Sequence, residues 1–109
     1  MLHTLNKAWI KCFLKQAKGN KDFLFVAKDL NELKTVDNII SDLFEKDSSF
    51  QKISFSSFGY YTVITEEEIK QDMIHFSEYF PMWDDILISH DIHDPLIINF
   101  LSQHRKRKY

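Results

Sequence analysis

The side chains best suited to chemistry stand in one short segment, His90-Asp-Ile-His-Asp94, which closely follows the pair Asp84-Asp85. Imidazole and carboxylate groups are both ligands for divalent transition metals, so a metal-dependent hydrolase that uses His90 and His93 is one interpretation. Asp94 has another explanation, because an Asp before Pro95 predicts a helix N-cap followed by proline in the first turn. We therefore expect no metal ion and keep metal-dependent hydrolysis as the second alternative function.

Other familiar catalytic signals are missing from the sequence. Gly19 and Gly59 are the only glycines, so a Gly-rich phosphate-binding loop cannot be built. The single cysteine, Cys12, falls on an apolar helical stripe, where we predict a core residue and not a nucleophile. We accordingly expect no catalytic residues and no cofactor.

The lone cysteine and the first residues of the chain indicate a compartment. One cysteine cannot form an intramolecular disulfide, which favours a reducing environment. The first residues lead into a Lys-rich amphipathic stretch, without the continuous apolar block of a signal peptide or a membrane span. The sequence therefore predicts a cytoplasmic protein that does not bind membranes.

Charge is sorted along the chain, although the net charge is only −2. Lysines dominate the first 28 residues and four of the last five residues are basic, whereas carboxylates dominate the long middle part. An acidic surface attracts a basic partner through long-range steering and charge pairing. The predicted partner-binding carboxylates are Glu66, Glu67, Glu68, Asp72, Asp84, Asp85, Asp91 and Asp94.

This charge pattern leads to the main functional hypothesis. Small acidic domains without a catalytic constellation have the build of immunity proteins, antitoxins and other inhibitors of nucleic-acid-handling enzymes. We therefore expect a non-enzymatic protein-binding module that acts on a basic partner.

Hydrophobic periodicity predicts the order of the elements. Helical spacing at Leu5, Trp9 and Phe13 indicates a first helix. The run 23–27 is apolar at odd and even positions alike, which indicates a central strand buried on both faces. Asp29 followed by Glu32, and later Thr65 followed by Glu68, are typical helix starts. Residues 51–57 and 60–65 alternate like a β-hairpin around Phe58-Gly59, residues 85–90 suit a last strand, and 96–103 a last helix.

The resulting order from residue 23 to 90 is β-α-β-β-α-β. It predicts a single α/β (α+β) domain over residues 1–109, with a ferredoxin-like antiparallel sheet, an extra helix at each end and a frayed basic tail at 104–109. In that fold one sheet face is left open to the end helices, a partner or a second copy of the chain.

Two of these strands also resemble the motifs of the RNA-recognition-motif family. Leu24-Phe25-Val26 is similar to the start of that family's first-strand motif, and Phe58-Gly59-Tyr60 to the middle of its third-strand motif. The resemblance implies single-stranded RNA binding, with Phe25, Phe58 and Tyr60 as a base-stacking platform. The basic tail residues would add phosphate contacts: Arg105, Lys106, Arg107 and Lys108. The acidic body opposes phosphate, so RNA binding is the first alternative to the protein-binding hypothesis.

Overall fold

The fold is an α/β arrangement in which helices lie between consecutive strands. The computed structural model describes residues 2–16, 21–46, 61–75 and 77–106. The described strands are β1 (His3–Thr4), β2 (Phe23–Ala27), β3 (Tyr61–Thr65) and β4 (Asp85–Ile88). The described helices are α1 (Lys7–Gln16), α2 (Leu30–Lys46), α3 (Glu66–His75) and α4 (Pro95–Gln103), with one 3-10 turn at Ser77–Tyr79.

All four described strands are parallel, in the order β1-β4-β2-β3. The predicted antiparallel ferredoxin-like sheet is therefore wrong. The error came from the hairpin: its residues 51–60 lie outside the described residues, and the remaining part, β3, pairs in parallel with β2, placing Val63 opposite Phe25. The two-residue strand β1 was missed because it is too short to show any alternation.

The central strand β2 explains why the sheet is parallel. All five of its residues are buried, as an apolar run without alternation requires. A strand with two apolar faces needs a covering layer on each side, and helical crossovers between parallel strands supply both layers. The prediction of a buried central strand at 23–27 is confirmed, and helices of this chain cover both of its faces.

The sheet separates two apolar cores. Phe25 and Leu43 belong to the core beneath α1 and α2, and Val26 and Ile69 to the core beneath α3 and α4. The predicted stripe of α1 is also shifted. Its fully buried positions are Ile10 and Leu14, while Trp9 is 38% exposed and Cys12 is only half buried, so Cys12 is not a core residue.

The first part of the basic tail is ordered against the amino end of β4. Trp83 N–H donates to the His104 carbonyl at 2.7 Å, and Lys106 N–H donates to the Trp83 carbonyl at 2.6 Å. The His104 ring packs on Phe100, with ring centroids 4.4 Å apart. Residues 104–106 of the predicted frayed tail thus contact the segment before β4, and residues 107–109 lie outside the described residues.

Opposite charge explains why the tail docks there. Arg105 Nε lies 3.3 Å from Asp85 Oδ1, and Lys106 Nζ lies 3.7 Å from Asp84 Oδ2. Asp85 is only 1% exposed, and a nearby cation lowers the free-energy cost of burying a carboxylate. The acidic middle of the chain and its basic end thus neutralise each other within the fold.

Removing this cation should destabilise the domain. Arg105→Met removes the guanidinium beside the buried Asp85 carboxylate and leaves His3 Nε2, 3.9 Å from Asp85 Oδ2, as its ion-pair neighbour. Breaking a fully buried pair costs about 3–5 kcal/mol, and we expect about 2–3 kcal/mol here because solvent reaches part of the Arg105 side chain. Urea unfolding followed by circular dichroism measures this loss.

Two further variants test the cause. Lys106→Met breaks a half-exposed pair and should cost under about 1 kcal/mol. Asp85→Asn removes the buried charge, so adding Arg105→Met to it should cost much less than Arg105→Met does in the wild type. Equal costs in the two backgrounds would show that Arg105 contributes packing and not charge.

Candidate functional site

The parallel sheet places the segments after β2, β3 and β4 at one edge, its carboxyl edge. From there α2 enters one helical layer, whereas α3 and α4 enter the other. The neighbouring strands β2 and β4 therefore send their helices to opposite faces. In open α/β sheets this point of divergence at the carboxyl edge is where ligands and partners are bound.

A charged network joins two of these segments. Lys28 Nζ lies 2.6 Å from Glu66 Oε2, and Lys70 Nζ lies 3.4 Å from Glu66 Oε1. The hydrogen bond from Lys28 holds the pKa of Glu66 below its ordinary value, against the effect of burial, and the same bond raises the pKa of Lys28. Glu66 thus links the end of β2 to the start of α3 and offsets part of the charge of the two lysines.

The start of α2 is closed by reciprocal hydrogen bonds. Glu32 N–H donates to Asp29 Oδ1 at 2.9 Å, and Lys28 N–H donates to Glu32 Oε1 at 2.8 Å. This is the capping box that the spacing of Asp29 and Glu32 predicts, so the prediction is confirmed. The cap fixes the direction in which α2 leaves the edge.

The starts of α3 and α4 are each capped by one side-chain oxygen. Glu68 N–H donates to Thr65 Oγ1 at 3.3 Å, and Leu96 N–H donates to Asp94 Oδ1 at 3.0 Å. Both predicted caps are confirmed, including the position of Pro95 in the first turn. Asp94 therefore has a structural role that accounts for it.

Several of the eight predicted partner-binding carboxylates are engaged inside the domain. Asp85 is buried beside Arg105, and Asp84 Oδ2 accepts a hydrogen bond from Asp22 N–H at 2.7 Å. Both lie at the start of β4, at the edge opposite the caps. Glu66 is 8% exposed and is held by its two lysines. The predicted surface is therefore not continuous, because four of its members, Glu66, Asp84, Asp85 and Asp94, serve the fold.

The remaining carboxylates divide between two places. Glu67, Glu68 and Asp91 are exposed at the carboxyl edge, and Asp29 joins them there. Asp72 is half buried further along α3, beside a groove. Sequence reasoning missed Asp29 as a surface carboxylate because its role as a helix cap already explained it.

Two leucines at the same edge are also exposed. Leu30 is 66% exposed in the first turn of α2, and Leu96 is 70% exposed in the first turn of α4. A cleft of about 440 Å³ opens beside Leu30, with Asp29, Thr65 and Glu67 among its lining residues. We call the surface formed by Asp29, Leu30, Glu67, Glu68, Asp91 and Leu96 the acidic edge. The exposure of Leu30 could have been predicted from the sequence, because Leu30 falls outside the helical stripe of Val36 and Ile40.

The histidines of the predicted metal segment lie near this edge. His90 and His93 are both exposed, with ring centroids 6.4 Å apart and the rings nearly perpendicular. His90 Nδ1 lies 3.1 Å from Asp91 Oδ1. Within the described ranges, no three His, Cys, Asp or Glu side chains gather as a metal site would require. The hydrolase hypothesis gains no support from this geometry.

The residues implied by the RNA-binding resemblance do not form a platform in the described part of the chain. Phe25 is 0% exposed and faces Tyr61 inside the core, with ring centroids 6.0 Å apart. Arg105 and Lys106 are engaged with carboxylates. Four of the implied residues lie outside the described ranges: Phe58, Tyr60, Arg107 and Lys108. No base can stack on Phe25 while the sheet keeps its helical layers.

Comparisons with known proteins add no function to this geometry. No family model, no curated protein and no solved structure matches the chain. In the described ranges, no helix has both the length and the apolar character needed to cross a membrane. The candidate site therefore rests on the acidic edge itself.

The Glu66 network should make stability depend on acid pH. Because the folded-state pKa of Glu66 lies below its ordinary value, its bonds stabilise the fold above about pH 4.3, and this is lost as pH falls through the folded-state pKa. The loss of unfolding free energy in Glu66→Gln should therefore be largest near pH 7 and should shrink toward pH 3. Urea unfolding across this pH range measures it.

The matched control is the neighbouring carboxylate. Glu67 is exposed, so Glu67→Gln should change stability little at any pH in this range. A Glu66→Gln effect of the same size at pH 3 and pH 7 would show that the charge of Glu66 does not contribute.

Proposed function

We propose that this domain is a non-enzymatic protein-binding module that docks a basic partner on the acidic edge. The observation that carries the proposal is the placement of two exposed leucines, Leu30 and Leu96, among exposed carboxylates at one edge of the sheet. An isolated exposed leucine needs no explanation. Here two exposed leucines begin helices of opposite layers at the same edge of the sheet, so a partner that approaches this edge meets both. That arrangement favours an interface.

The composition of the acidic edge fits what protein partners bind. Interfaces combine apolar anchors that become buried with a polar rim that remains wet. Leu30 and Leu96 can serve as the anchors, and Asp29, Glu67 and Asp91 as the rim. Burying an exposed leucine side chain contributes on the order of 1.5–3 kcal/mol, so the anchors would supply affinity.

The electrostatics of the acidic edge favour a basic partner. Lys28 and Lys70 are both bonded to Glu66. The charges of Asp29 and Asp91 also raise the pKa of Lys28, so this lysine offsets part of the acidic edge too. Two lysines still face five carboxylates, Glu66 and the four of the acidic edge, and the balance of these charges is negative. Uncompensated charge on one surface raises association rates with a partner of opposite sign, and the effect weakens as salt is added. A partner with a lysine- and arginine-rich surface is therefore preferred over an acidic or neutral one.

A basic surface on the partner suggests what binding would achieve. Proteins that handle nucleic acids hold phosphates with lysine and arginine, and those side chains would pair with the carboxylates of the acidic edge. Occupying them blocks access of the nucleic acid. The proposed role is that of an inhibitor, immunity protein or antitoxin acting on such a partner.

Charge reversal at the acidic edge tests the proposal. Proteins are captured from the native host by the wild type and by Glu67→Lys/Glu68→Lys/Asp91→Lys, and are identified by mass spectrometry. A captured basic protein should then associate at least tenfold more slowly with the triple variant at low salt, with a smaller change in its dissociation rate. Stopped-flow measurements at two salt concentrations give both rates.

The control carries the same change of net charge elsewhere. Asp37→Lys/Asp42→Lys/Glu78→Lys alters carboxylates that are exposed but lie outside the acidic edge. It should slow association much less. If both variants slow association equally, the effect comes from net charge and not from the acidic edge. If the wild type instead binds a labelled single-stranded RNA tightly, RNA binding replaces the protein-binding proposal.

A further inference from the structure

A second recess lies beside β3, on the sheet face that α3 and α4 cover. It is a groove of about 220 Å³. Leu24 and Ile64 contribute apolar surface from the sheet, Tyr79, Phe80 and Trp83 contribute aromatic rings, and Asp72 contributes a carboxylate. We call these six residues the aromatic groove. None of them belongs to the acidic edge.

The size of the aromatic groove limits what it can hold. Sites for drug-sized molecules and cofactors usually occupy about 300–1,000 Å³. A volume of 220 Å³ falls below this range and suits one large side chain. The expected occupant is therefore a single side chain presented by another protein.

The aromatic rings favour a cation. Phe80 and Trp83 both line the groove and contact each other, with ring centroids 6.4 Å apart and planes inclined at 55°. Tyr79 is 81% exposed at the rim, although a tyrosine ring is normally covered in a folded domain. A cation near such rings is attracted to their negative faces, and arginine is the side chain most often found there.

The remaining lining residues favour a cation on an aliphatic stem. Ile64 is partly exposed and offers apolar surface for methylene groups, and Asp72 offers a carboxylate for the charged end. Arginine combines the stem with a planar guanidinium that can stack on a ring and pair with a carboxylate together. Lysine supplies the charge but cannot stack.

We propose that the aromatic groove binds an arginine side chain of the basic partner. The source of the arginine rests on the proposed function, whereas recognition of the side chain rests on the groove alone. The groove gives the partner a second point of contact, separate from the acidic edge.

The test uses small probes in the full chain. Trp9 and Trp83 are the only tryptophans, so in a Trp9→Phe background the fluorescence reports on the groove. Titration with N-acetyl-arginine methylamide should change the fluorescence saturably. The citrulline analogue has nearly the same shape without the charge, and it should bind at least tenfold more weakly. The lysine analogue should fall between the two.

Variants assign the binding to the groove. Asp72→Asn and Tyr79→Ala should each weaken arginine binding at least fivefold, while Asp37→Asn on the opposite layer should leave it unchanged. Tyr79 is exposed, so Tyr79→Ala should keep the fold. This variant therefore still tests the groove if Asp72→Asn fails to fold. No saturable change, equal binding of citrulline, lysine binding at least as tight as arginine, or no effect of both variants would each overturn the proposal.

The outcome is separable from that of the proposed function. Glu67→Lys/Glu68→Lys/Asp91→Lys does not touch the groove and should bind the arginine probe as the wild type does. If the probe fails while those changes still slow partner association, only the groove assignment is lost. If the probe binds as expected and partner association ignores the acidic edge, the groove assignment stands and the proposed function fails.

Discussion

The fold depends on one constraint, the burial of both faces of β2. Its five residues include two phenylalanines, a leucine and a valine, and none has a polar face to show to water. Such a strand is stable only between two apolar layers, and parallel neighbours with helical crossovers provide them. Parallel strands in turn bring the starts of α2, α3 and α4 to one edge. The acidic edge is therefore a consequence of the sequence of β2.

The sequence predicts the elements better than their arrangement. The caps at Asp29, Thr65 and Asp94 were predictable because each depends on residues within one helical turn. The direction of β3 was not, because whether it runs parallel or antiparallel to β2 is decided by residues far away in the sequence. The apolar run of β2 was a sign of a parallel sheet, but the aromatic alternation before Tyr61 favoured a hairpin and outweighed it.

The candidate site shows a related limit. Composition identifies a chain rich in carboxylates, but it does not show which of them are used inside the fold. Asp85 is held by Arg105, twenty residues along the chain, and Glu66 by Lys28, which follows β2. Only the assembled sheet reveals that Glu67, Glu68 and Asp91 remain exposed. The exposure of Leu30 and Leu96 likewise follows from where the two helices begin.

The position of those two leucines couples recognition to folding. Leu30 belongs to a helix of one layer and Leu96 to a helix of the other, and the sheet lies between the two layers. A partner that covers both leucines would clamp the layers against β2 from outside. Binding to the folded form alone raises the free energy of unfolding in proportion to the logarithm of partner concentration. A bound partner would therefore also stabilise the fold, and the bound domain would have a higher free energy of unfolding than the free one.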